Sequence, residues 1–168
     1  MKYDTSEYEA PKVGPGKGKG QVIVTEVEPR EGKIDPEAVN YQVSFQVVAH
    51  EDPGSVGATY KHFFYCENQP GINRWIDFAV ACGAISREDV QSGEVDFEHD
   101  DLYSQVVCAN FTLDKKSTEY LGYDVFRPRF YVNPNSPAGD QYPKSEEFSG
   151  KAPVTPDGKE DVDADDDF

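Results

Sequence analysis

Residues 40–50, Asn-Tyr-Gln-Val-Ser-Phe-Gln-Val-Val-Ala-His, set Tyr41, Val43, Phe45 and Val47 in alternation with Asn40, Gln42, Ser44 and Gln46. Successive side chains of a strand point to opposite faces, so this pattern requires a strand with one buried side. A half-buried strand needs neighbours in a sheet. The rest of the chain is therefore read for what it adds to that sheet.

Residues 21–29 alternate through Val22, Val24 and Val27, and residues 58–68, Ala-Thr-Tyr-Lys-His-Phe-Phe-Tyr-Cys-Glu-Asn, read as a third strand. The period then changes. Ile72, Trp75, Ile76 and Ala79 fall at i, i+3, i+4 and i+7, which makes one helical face apolar, with Pro70 early and Gly83 as a stop. Ser86 and Asp89 have the spacing of a capping box for a short helical turn. Residues 102–115 and 119–133 read as two more strands, joined by a tight turn at Asp-Lys-Lys-Ser. The expected fold is mainly β: a five-stranded antiparallel OB-like barrel with one helix between the third and fourth strands. An open α+β sheet with one packed helix has the same element order.

Residues 1–20 read as a flexible lead-in and 21–133 as the domain. Residues 134–168, dominated by Pro, Gly, Ser and acids, read as a disordered tail. The glycine run at 14–20 reads as a turn-rich basic entry loop that does not form a strand. It lacks the Walker spacing and precedes a strand instead of linking strand to helix.

The net charge is −16 over 168 residues, of which residues 157–168 carry −6 and the remainder −10. Phosphate backbones are held by Lys and Arg, so nucleic-acid binding requires basic residues gathered on one face. The start shows no apolar targeting segment, and no run approaches the ~20 residues of a membrane span. Cys66, Cys82 and Cys108 are widely spaced and read as buried free thiols in a reducing cytoplasm. No cofactor, metal site or catalytic constellation is expected. The carboxylates around His99 read as a solvated acidic loop, and the three histidines have no Ser or Cys partner motif.

One pattern does point to chemistry. On the third strand Tyr60, His62 and Phe64 take one face and Lys61, Phe63 and Tyr65 the other. Arg127 and Arg129 lie among Phe126, Phe130 and Tyr131, with Lys115, Lys116 and Tyr123 nearby. Flat side chains that stack on bases, interleaved with cations that follow phosphates, are how proteins hold single strands. Lys61, Phe63, Tyr65, Lys115, Lys116, Tyr123, Arg127 and Arg129 are accordingly the candidate DNA contacts. Filling a small core explains one of the two aromatic faces; Trp75, on the apolar helix face, belongs to that core.

The sequence closes on Asp161, Asp163, Asp165, Asp166, Asp167 and Phe168. This ending resembles the acidic, Phe-terminated tails of bacterial and phage single-stranded-DNA-binding proteins, and is nearer the phage form because it lacks Ile-Pro before Phe. The ordered part resembles phage and prophage OB-fold single-stranded-DNA-binding proteins encoded beside recombination genes. Gly14 and Gly16 match the opening, and Ala81, Gly83 and Ile85 match the helix end. The resemblance implies a non-enzymatic protein that binds and protects single-stranded DNA in replication, recombination or repair, and it would make the cytoplasm that of a bacterial host cell. Its tail would recruit partners such as a polymerase, helicase or recombinase. The competing reading is a scaffold-like interaction protein or a DNA mimic with a protein-docking tail. Oligomeric state is left open, a homo-oligomer included, and no membrane partner is expected.

Overall fold

The computed structural model describes residues 1–8 and 14–148. Its centre is β1 (Gly18–Glu31), which pairs antiparallel with β2 (Val39–His50) along its length and with β4 (Val106–Leu113) through residues 18–23. β3 (Thr59–Phe64) adds outside β2 and β5 (Phe126–Val132) outside β4, which gives one sheet in the order β3-β2-β1-β4-β5. Register shifts between Gln21 and Val22 and between Val24 and Glu26 bend β1. Extra residues of this kind increase local twist. The sheet curls into a half-barrel whose end strands face each other.

The alternation expected in β2 is present: Val43, Phe45 and Val47 are fully buried and Tyr41 half-buried. They meet Val22, Val24 and Val27 of β1 and Val107, Ala109 and Phe111 of β4 in one core. Helix α1 (Gln69–Cys82) closes the concave side by burying Trp75, Phe78, Ala79 and Cys82. Its ends follow the expected chemistry, with the Asn68 side chain accepting from the Gly71 amide at 2.8 Å and Gly83 stopping it at φ 83°. Trp75 stacks on Tyr41 at 4.2 Å between ring centroids, so it is a core residue. Helix α2 (Arg87–Gln91) starts on the Ser86–Asp89 capping box. The short helical turn expected there is thus a second helix between β3 and β4.

Three expectations need correction. Residues 115–121 form a helix, α3 (Lys115–Leu121), in place of a tight turn and the start of a strand. Asp114 caps it through the Ser117 amide at 3.1 Å and Gly122 ends it at φ 81°. Tyr120 and Leu121, whose apolar side chains suggested a strand, are exposed. Residues 18–20 lie within β1 and are not entry loop. A Cβ at Gly20 would come 2.7 Å from the Ala49 carbonyl and 2.9 Å from the His50 ring. Glycine there lets His50 fold across the strand, where its Nε2 donates to the Gly16 carbonyl at 3.1 Å and its Nδ1 accepts from the Asp52 amide. Finally, the packed chain continues past residue 133. A 3-10 turn at Pro137–Gln141 leads to Ser145, whose amide donates to the buried Gln21 side chain at 2.8 Å, and Lys19 lies over the Tyr142 ring. Residues 149–168 lie outside the described residues, and with them the tail positions Asp161, Asp163, Asp165, Asp166, Asp167 and Phe168. Among the described residues no helix is long and apolar enough to cross a membrane.

Candidate nucleic-acid interface

β3 and β5 run parallel to each other across the mouth of the half-barrel, without ladder pairing between them. Side chains bridge the seam instead. Tyr131 places its hydroxyl 2.9 Å from His62 Nδ1 and 3.2 Å from the Tyr60 hydroxyl. Arg127 Nη1 donates to the Lys61 carbonyl at 3.3 Å. Inward from this line lie Phe45, stacked on both Tyr60 and Tyr131, and Phe64, stacked on His62 at 4.2 Å. The seam therefore has a solid aromatic floor.

Above that floor four adjoining depressions of 390 to 510 Å³ follow the two strand edges. They begin at Gly14, Pro15, Thr59 and Val125, pass Lys61 and Arg127, and end at Tyr65, Arg74 and Arg129. β3 alone spans about 20 Å at the usual strand rise.

The charge in this groove is opposite to that of the chain. Lys61, Arg74, Lys115, Lys116, Arg127 and Arg129 line it, six of the 16 Lys and Arg in a protein of net charge −16. Among the described residues Asp114 is the one carboxylate in the lining. It is held below its ordinary range, first by the Ser117 amide, with Arg127 at 3.4 Å adding to the effect. The other five cations make no ion pair among the described residues. In a chain with twice as many acids as bases, five unpaired cations along one groove leave a locally positive surface. His62, on the floor, is pushed down to about 4, first by burial and then by Arg127 and Arg74. It is neutral at pH 7.

The face division expected for β3 is what the strand displays. Tyr60, His62 and Phe64 point inward, while Lys61, Phe63 and Tyr65 are exposed. Phe63 and Tyr65 keep 44% and 43% of their surface and lie nearly parallel, 6.0 Å between centroids. The two-residue alternation of the strand puts both rings on its outer face, beside Lys61. In β5 a register shift opposite Ala109 and Phe111 turns both Arg129 and Phe130 outward. Of the eight residues singled out from sequence, seven line the groove; Tyr123, exposed in the link between α3 and β5, does not. Arg74 was missed because it comes from α1 and reaches the site only through packing of the helix onto β3. The mark it leaves in the sequence is its position off the apolar face of α1.

Among the described residues no group of three or more His, Cys, Asp or Glu side chains is placed to hold a metal ion. Comparison with protein-family models found no match, and comparison with curated proteins found none.

Proposed function

We propose that this protein binds single-stranded DNA in the groove between β3 and β5. The observation that carries the reading is the coincidence of six cations with the exposed Phe63–Tyr65 pair on one seam of a strongly acidic chain. The cations suit phosphates, and each base stacked on a ring is worth ~1–3 kcal/mol without regard to its identity. A duplex keeps its bases paired and stacked, out of reach of those rings, so single strands are the better fit.

The strand order and the position of α1 between β3 and β4 support reading the half-barrel as an OB-like barrel, a fold that binds oligonucleotides on its strand faces and loops. Recruitment of replication or recombination proteins through residues 161–168 belongs to the same proposal and rests on the sequence of those residues.

The test is fluorescence anisotropy of labelled oligo-dT against the full chain over a range of salt, with a duplex of equal length as control. Six phosphate contacts would give a slope of log K on log salt of about −4 for a single strand. Preference for oligo-dT with a slope between about −2 and −4 supports the reading. Absence of binding at low salt, or equal affinity for duplex, rejects it in favour of a protein-interaction role.

A further inference from the structure

The β1–β2 connection ends beside Tyr65, and one carboxylate fixes it there. Glu67 Oε1 accepts from the amides of Ile34 at 2.8 Å and Asp35 at 2.9 Å. Its Oε2 accepts from the Lys33 amide at 2.9 Å and from Asn40 Nδ2 at 2.8 Å. Asn40 is itself held, its Oδ1 accepting from the Cys66 amide at 2.8 Å. Gly32 enters the loop where a Cβ would overlap the Asp35 carbonyl oxygen and press on the Glu67 carboxylate. These donors, the Asp35 amide first, hold the Glu67 carboxyl at about 2. Three successive amides closing on one carboxylate make an anion nest whose occupant is part of the chain.

The clip has a consequence at the groove. Lys33 is exposed, makes no ion pair among the described residues, and carries its ammonium 5.4 Å from the centroid of the Tyr65 ring. Both oxygens of Glu67 are committed to the loop amides and Asn40, so this carboxylate binds the Lys33 backbone and is not paired with its ammonium. Holding the backbone of a long cationic side chain in place also reduces the freedom lost when it engages a ligand.

We infer that Lys33 is a nucleic-acid contact at the Tyr65 end of the groove, taking a phosphate beside that ring, and that Glu67 is the positioning residue that keeps it there. The inference rests on the single-stranded-DNA reading above. It extends the binding surface from the two strand edges onto the β1–β2 loop.

The test is a double-mutant cycle on the full chain, read by anisotropy of labelled oligo-dT across a salt series. Loss of one single-strand phosphate contact lowers the salt slope by about 0.7, which at 0.1 M salt is about fivefold weaker binding. Lys33→Ala is expected to show that loss, and Lys33→Arg to retain the slope. Glu67→Gln is expected to weaken binding in the parent chain and to have no further effect in the Lys33→Ala background. Parent-like slope and affinity in Lys33→Ala overturn the inference while leaving the groove reading intact. Additive effects of the two substitutions overturn the positioning role of Glu67, since they mean it acts independently of Lys33. If the parent chain itself does not bind oligo-dT, the groove reading fails and this inference falls with it.

Discussion

Acidification should destabilise the fold through His62 before any carboxylate contributes. The imidazole is buried at the seam, stacked on Phe64, bonded to the Tyr131 hydroxyl, and flanked by Arg127 of β5 and Arg74 of α1. These surroundings lower its pKa from 6.5 to about 4. A histidine that is harder to protonate in the folded state contributes stability that is complete above its unfolded value. That contribution is lost as pH falls from 6.5 toward 4. The whole span is worth about 3 kcal/mol, and the portion between pH 7 and pH 5 about 2 kcal/mol.

Carboxylates act in a lower window. Glu67, Asp89 and Asp114 are all held below their ordinary values, so their contributions are present above those values, 4.5 for Glu67 and 3.8 for the two Asp, and are lost as pH falls through and below them. Urea denaturation at pH 7, 6 and 5 isolates the histidine. The midpoint should fall by about 1 M from pH 7 to pH 5 in the parent chain. His62→Gln, which does not titrate, should show a much smaller change. A parent midpoint independent of pH over this range, or an equal slope in His62→Gln, refutes the reasoning. The imidazole proton shift followed by NMR gives the same answer directly, with a midpoint near 4 expected and one near 6.5 contradictory.

Two further expectations concern the core. Phe78 is 1% exposed, with the rings of Phe45, Phe64 and Tyr131 within 5.7 Å of its centroid, so Phe78→Ala should cost ~3–5 kcal/mol in urea denaturation. The three thiols are all pushed up by burial, Cys66 and Cys108 to about 11. Alkylation at pH 8 should therefore be slow in the native protein, with Cys66, the least buried, modified first and Cys82 only on unfolding. Rapid labelling of Cys82 would contradict its place on the buried face of α1.

Most of the fold was legible because burial on one face imprints a two-residue period on a strand and a 3.6-residue period on a helix. The alternation of β2 and the inside-outside division of β3 follow from the first, and the spacing in α1 from the second. The glycines at 18–20 carry no side-chain period, so their place in β1 is set by the partner strand and by the room His50 needs. α3 was hidden because Tyr120 and Leu121 are apolar and yet exposed, which breaks the link between hydrophobicity and burial. Its true signals were local, the Asp114 cap and the Gly122 stop. The groove was half legible. Parity along β3 exposed Lys61, Phe63 and Tyr65, but nothing along the chain says that β5 lies opposite, or that α1 and the β1–β2 loop deliver Arg74 and Lys33 to the same seam. Net charge pointed the other way, because it sums over surfaces that the fold keeps apart.

The central claim is that the seam between β3 and β5 is where a single strand lies. Backbone amide shifts of the full chain, followed as unlabelled oligo-dT is added, test it most directly. The account predicts that the largest changes fall on residues 61–65, 74, 115–116, 127 and 129, with the acidic stretch at 87–101 unaffected. Changes centred elsewhere, or none at concentrations where low-salt binding is complete, would contradict it.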